Sequence, residues 1–225
     1  GERMKLNQGL VSYIECCIFP KYDRFYSHGL LHIQYVIDHS FIIAKEYDVD
    51  LNMVYCIACY HDLGLLAIDM NREDHAIESG KLLMADNNLR RFFDDKQLQI
   101  MKEAIEDHSG SLNRQPRSIY GEIVSDADRD VDIYILAKRQ LQTSIKYYPE
   151  LTSFDDHFER CYQYILHRNK KPFHLWTGNS NILKMMKKFK SDFLNKDFAR
   201  KVYLDAWNYI EEEGLKEKFV SFYED

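Results

Sequence analysis

No apolar run in the chain approaches the length of a membrane-spanning helix. The first residues, Gly1-Glu2-Arg3-Met4-Lys5, also lack the apolar stretch of a secretory signal. A membrane protein and an exported protein are therefore not expected; a cytoplasmic one is. A disulfide framework is missing as well, since five cysteines is an odd count without framework spacing. Cys56 and Cys59 form a C-x-x-C, but no second pair exists and both lie in an apolar segment. They read as thiols packed in a core, as do Cys16 and Cys17. Net positive charge is absent too. A formal charge of −6 argues against specific nucleic-acid binding, because phosphate backbones demand a positive surface. One region departs from that balance. Between Arg168 and Lys201 ten lysines and arginines stand against two acids, Asp192 and Asp197. Such a run is a solvated helix face, or it draws a phosphorylated substrate or an acidic partner.

Alternating strand patterns, internal repeats and low-complexity tracts are also lacking, and helical periodicity fills their place. With 225 residues, 45% of them hydrophobic, the chain is long enough for one large domain with its own core. Leu30, Ile33, Ile37, Phe41 and Ala44 trace one helical stripe, with His32 and Val36 beside it. Val54, Ile57, Ala58 and His61 trace a second, and Gly64 stands just beyond as a stop. His75, Ser79, Leu82 and Leu83 share a third face, and Leu98, Met101, Ile105 and His108 a fourth. Ile119, Ile123, Asp126, Ala127 and Ala137 predict one longer helix. Ser153-Phe154-Asp155-Asp156 starts a helix reaching about His167. Residues 168 to 181 read as a loop, and the tail from Ile182 carries one or two helices, broken near Asn195 or Gly214. The expected architecture is a single all-α domain over residues 1–225. Its core lies at about 25–140 and a C-terminal helical extension at about 150–225.

Six polar side chains interrupt these apolar faces: His32, His61, Asp62, His75, His108 and Asp126. One inward histidine is ordinarily a satisfied core residue. An inward aspartate between Ile123 and Ala127 is harder to bury without a countercharge. Six arriving together point to a shared cation, and a mixed imidazole and carboxylate set suits Mn, Fe, Co, Ni or Zn better than Ca. No serine or cysteine nucleophile with a paired base is apparent.

The order His32, His61-Asp62, Asp126 resembles the H…HD…D signature of the HD-domain superfamily of metal-dependent phosphohydrolases. The local texts agree: His32-Ile33-Gln34-Tyr35-Val36 is similar to the first-ligand helix, Tyr60-His61-Asp62-Leu63-Gly64 to the helix-ending HD-x-G, and Ser125-Asp126-Ala127-Asp128-Arg129 to the last segment. The resemblance spans roughly residues 25 to 140. It implies a helical bundle around one or two divalent ions (Mg also possible), with His32, His61, Asp62 and Asp126 as first-metal ligands. His75 and His108 match the additional histidines of two-metal members, with Asp62 bridging.

The implied activity is hydrolysis of a phosphate ester or anhydride of a small phosphorylated metabolite, such as a nucleotide, by metal-activated water. Asp62, His75, His108 and Asp126 are the residues expected at the reacting centre, with Glu78 as a further proton-transfer candidate. His28 could line the pocket, Asp128 could orient a ligand imidazole, and Arg117, Lys138 and Arg139 are candidate phosphate clamps. Leu65 stands where members that cleave cyclic dinucleotides typically have Lys, and no Gly-Tyr-Pro follows, so that activity is disfavoured. The aromatic text Phe173-His174-Leu175-Trp176 reads as packing more than as a base-stacking platform. Two alternatives share the scaffold: a di-iron oxygenase, and a non-catalytic module stapled by its metal. Oligomeric state is not legible.

Overall fold

Asparagine, aspartate and serine open most of the helices by accepting hydrogen bonds from otherwise unpaired N–H groups of the first turn. The computed structural model describes residues 5–24, 29–66, 75–170 and 174–214. Among them are ten α-helices and no strand. Asn7 caps α1 (Gln8–Cys17), Asp50 caps α3 (Leu51–Tyr60), and an Asp94/Gln97 capping box opens α5 (Asp95–Glu106). Between them lie α2 (Leu30–Ala44) and α4 (His75–Ala85). Ser118, Asp132 and Ser153 cap α6 (Ile119–Ala127), α7 (Ile133–Tyr147) and α8 (Phe154–Arg168). Asn179 and Asn195 cap α9 (Ser180–Leu194) and α10 (Lys196–Glu213). No described helix is long and apolar enough to cross a membrane.

The buried apolar side chains form two clusters. The first is built from α1 to α6, centred on Ile33, Tyr55, Ile57, Met101 and Ile105, and Ile182 of α9 joins it. The second belongs to α7 to α10, around Leu141, Phe158, Cys161, Phe193 and Tyr203. Each fully buried aliphatic or aromatic side chain contributes roughly 1.5–3 kcal/mol. Helix α2 packs on α3 and α6, and α5 packs on α3, α4 and α6. The ends of these helices are what bring the polar residues together.

Two expectations are corrected here. The single helix predicted through Ile119 and Ala137 is two helices, α6 and α7. Asp132 is the reason: its carboxylate accepts from Tyr134 N at 2.9 Å and Ile135 N at 3.1 Å, so a new helix starts after it. Cys16 and Cys17, expected in the core, are exposed at the end of α1, whereas Cys56 and Cys59 are buried in α3. Burial drives the Cys56 thiol far up, as an inert packed thiol requires.

Candidate metal centre

His32 lies in the first turn of α2, held among apolar neighbours. His61 caps the C-terminal end of α3 and Asp62 follows it into the turn. His75 is the first residue of α4, His108 follows the end of α5, and Asp128 caps α6. Five helix ends therefore converge, each delivering a group at the point where the helical ladder stops.

The contacts fall on two sides of Asp62. Its Oδ2 stands 3.3 Å from His32 Nε2 and 3.4 Å from His61 Nε2. Its Oδ1 stands 3.4 Å from His75 Nε2 and 3.9 Å from His108 Nε2. Asp128 is arranged similarly: Oδ1 lies 3.0 Å from His32 Nε2 and 3.6 Å from His61 Nε2, and Oδ2 lies 4.0 Å from His108 Nε2. Nε2 of His75 and Nε2 of His108 face each other at 3.3 Å. Three groups of possible ligand atoms result: His32, His61 and Asp62; His61, His108 and Asp128; Asp62, His75 and His108.

The backbone fixes which imidazole nitrogen faces inward. Nδ1 of His61 lies 2.6 Å from the Ala58 carbonyl and Nδ1 of His108 lies 2.6 Å from the Ile105 carbonyl. A carbonyl only accepts, so both Nδ1 atoms donate, and a neutral ring then presents its Nε2 lone pair to the centre. Those lone pairs confront carboxylate oxygens, an arrangement that requires a proton or a metal ion between them. The Nε2 of His61 is buried without a hydrogen-bond partner. Donor atoms bound to one ion at about 2.1 Å stand about 3.0–3.4 Å apart, the range found around Asp62 Oδ2. The residues present fit a divalent metal.

The electrostatics agree. Burial alone would depress the His61 imidazole, but the carboxylates of Asp62 and Asp128 push it up to about 9. His108 goes the other way, to about 4, because burial and the neighbouring His61 disfavour its charge. Asp128 is held well below the usual carboxylate range by His32 and His61, despite its burial.

Asp126 is not in this cluster. Its Oδ1 accepts from Trp176 N at 2.9 Å, and its Oδ2 accepts from the Thr177 N–H at 2.8 Å and hydroxyl at 2.7 Å. Burial still pushes its carboxyl up, against those three donors. The end of α6 at Ala127 explains the exchange: Asp126 remains on the helix, facing the 174–179 loop, while Asp128 leaves it and turns among the histidines.

The other candidates lie elsewhere. Asp107 accepts from Arg114 Nη2 at 2.7 Å and from Arg117 Nε and N–H at 3.0 and 2.8 Å, so both arginines brace the chain after His108. Arg117 Nη2 also bonds Glu106 at 2.9 Å. Lys138 Nζ sits 3.9 Å above the Tyr209 ring, tying α7 to α10, and Arg139 pairs with Asp130 at 3.3 Å. Glu78 follows His75 by less than a turn and accepts from Lys81 at 3.2 Å. Trp176 stacks on His174 at 4.5 Å, and Leu175 packs on the first core. His28 and Phe173 lie outside the described residues. In the basic run, Arg168, Lys188, Lys196 and Arg200 pair with Asp130, Asp192, Glu159 and Asp155, each at 2.7 Å.

Gly64 does more than end a helix. Its N–H donates to Ser79 Oγ at 2.7 Å, and a Cβ there would collide with the His75 carbonyl and lie 2.5 Å from Ser79 N. The missing side chain lets α4 approach close enough to bring His75 to Asp62.

Residues 30–130, which include every residue of the cluster, match the family model of the HD domain. HD-domain proteins bind divalent metals and form a superfamily of metal-dependent hydrolases. No curated protein and no solved structure matches the chain.

Proposed function

We propose that this chain, which carries an HD domain, is a metal-dependent phosphohydrolase. Its substrate is a phosphate ester or anhydride of a small phosphorylated metabolite, such as a nucleotide. One observation carries the reading: the two oxygens of Asp62 face separate pairs of histidines, His32 with His61 and His75 with His108. His32, His61, Asp62 and Asp128 would hold one divalent ion; His75, His108 and the second oxygen of Asp62 would hold another. Asp128 thereby takes the ligand role that the sequence pattern suggested for Asp126. A bound divalent metal supplies Lewis acidity, polarising the phosphoryl group and acidifying a water molecule.

The chain's own residues do the rest. The Ala58 and Ile105 carbonyls keep the His61 and His108 rings turned with Nε2 inward. Apolar neighbours of α2, α3 and α5 exclude bulk water behind the centre, which strengthens its electrostatics. The side chains of His75 and Asp128 are 16% and 22% exposed, against 4% or less for His32, His61, Asp62 and His108, so substrate approaches from their side. His75 is the more accessible of the two imidazoles on its side of Asp62.

The test strips the protein of metal, reloads it with Mn²⁺, Mg²⁺, Co²⁺, Ni²⁺, Zn²⁺ or Fe²⁺, and measures phosphate release from nucleotides, sugar phosphates and pyrophosphate linkages. Turnover that requires metal and is lost in Asp62→Asn is the expected result. Tight iron retention with oxygen consumption and no phosphate release would instead establish the oxidative alternative.

A further inference from the structure

We propose that Tyr35 is a positioning residue of the metal centre: its hydroxyl sets the turn after α6 so that the Asp128 carboxylate meets His32 and His61. The inference rests on the reading of Asp128 as a metal ligand and concerns what holds that ligand in place.

Asp128 depends on its backbone more than its fellow ligands do. The side chains of His32, His61 and Asp62 are 4% exposed or less, so packing confines them, and the Ala58 carbonyl fixes the His61 ring. Asp128 is 22% exposed and stands just past the last residue of α6. On the helix side two bonds hold its main chain: Asp128 N–H donates to the Val124 carbonyl at 3.0 Å, and Arg129 N–H to the Asp126 carbonyl at 3.3 Å. On the far side the Tyr35 hydroxyl takes over. It donates to the Arg129 carbonyl at 2.5 Å and accepts from Val131 N–H at 3.1 Å. One hydroxyl thereby satisfies a carbonyl and an N–H that lie beyond the helical ladder. Asp130, inside the clamped turn, pairs with Arg139 and Arg168, which ties its side chain to α7 and α8 rather than to the centre.

The clamp comes from the helix that carries an opposing ligand. Tyr35 lies one turn beyond His32 on α2, and its ring stacks on the imidazole with centroids 6.2 Å and planes 19° apart. His39, the next turn along, meets the same ring with centroids 3.9 Å apart. Tyr35 is buried, so these neighbours hold its hydroxyl toward the turn. A single stretch of α2 thus supplies His32 and sets the backbone of Asp128, whose Oδ1 lies 3.0 Å from His32 Nε2. Groups that orient a ligand without touching the ion commonly change metal affinity about 10- to 100-fold.

The experiment is titration of the metal-free full chain with Co²⁺, followed by visible absorption, for the wild type, Tyr35→Phe, Tyr162→Phe and Asp128→Asn. The Tm of each metal-free protein is measured alongside. Tyr162 is the reference because its buried hydroxyl also bonds a backbone carbonyl, that of Phe193 at 2.8 Å, but in the second core. Tyr35→Phe should weaken Co²⁺ binding about 10- to 100-fold and alter the d–d absorption of the bound ion. Tyr162→Phe should lower Tm and leave both unchanged. A Tyr35→Phe protein that loses Tm but binds Co²⁺ with wild-type affinity and spectrum overturns the proposal, because a purely structural hydroxyl would behave so. If Tyr35→Phe does not fold, hydrogen exchange of the wild-type Val131 amide carries the test. Linkage is reciprocal, so a bond that favours the metal must be protected by it, and Zn²⁺ loading should slow that exchange; exchange that Zn²⁺ leaves unchanged overturns the proposal. Failure of the underlying reading looks different: Asp128→Asn would then also bind Co²⁺ like the wild type, and both fall together. No readout involves phosphate release, so the clamp stands or falls apart from the hydrolase reading.

Discussion

Thr177 donates twice to the same oxygen of Asp126, through its backbone N–H at 2.8 Å and its hydroxyl at 2.7 Å. With Trp176 N on the other oxygen, the carboxylate fastens the 174–179 loop to α6, one turn away from the metal centre. Asp126 and Asp128 thus divide the labour of two neighbouring acids: one holds a loop, the other faces the histidines.

That division predicts opposite phenotypes. Asp126→Asn turns an amide N–H₂ toward an N–H donor and should cost about 2–3 kcal/mol, read as a lower denaturation midpoint. Its metal stoichiometry should stay native. Asp128→Asn should lose bound metal. Metal analysis beside denaturant titration checks both, and metal loss confined to Asp126→Asn would reverse the assignment.

The two sides of Asp62 can be separated in the same way. His75→Ala removes a group only from the side shared with His108, so it should lower metal content from two ions to one. Asp62→Asn weakens both sides and should lower it further. Equal loss in the two variants would indicate one shared ion. For activity, a fall of roughly a hundredfold or more is expected with either, since metal and positioned groups each contribute on that scale.

Most of the helices and most of the cluster were legible in the sequence because both obey helical spacing. The apolar stripes on α2, α3 and α5 carry His32, His61 and His108 at their inward ends, and periodicity alone places them. Asp126 was misplaced for the same reason: it too falls on an inward stripe. Periodicity cannot say that α6 ends at Ala127, because that end depends on the Asp132 cap and on Tyr35, a residue distant in sequence, pinning the turn. Nor could spacing reveal that the partner of the inward acid is a loop fifty residues on. Two of the phosphate-clamp candidates are paired with acids that spacing does not reveal: Arg117 sits with Arg114 on Asp107, buried beside His108, and Arg139 sits on Asp130.

Gly64→Ala probes how α4 is seated. The new Cβ meets the backbone of His75 and Ser79, which cannot rotate away as a side-chain tip would. Helix α4 must move, carrying His75 from Asp62. We expect loss of the His75-side ion and a destabilisation of about 1–3 kcal/mol, the usual cost of overpacking. A variant with full metal content and native stability would show that α4 is placed by other contacts.

Asp86 gives a pH dependence remote from the metal ligands. Its Oδ2 accepts from the Tyr13 and Tyr60 hydroxyls, each at 2.6 Å, and its Oδ1 accepts from Asn88 N at 3.1 Å. Burial raises its carboxyl, but those bonds outweigh it and hold the group below its ordinary value. The same contact and burial push the Tyr13 hydroxyl up to about 12. In the unfolded chain Asp86 titrates near about 3.9, so on acidification the unfolded state takes up the proton first. Its stabilisation is therefore full above about pH 4 and declines as pH falls through the lower folded value. Asp86→Asn should cost about 1–3 kcal/mol at pH 7, and the gap to wild type should narrow below about pH 4. Urea midpoints of the metal-free proteins at pH 7 and pH 3 measure it; a gap unchanged at pH 3 would show that the ionised carboxylate is not what the two tyrosines stabilise.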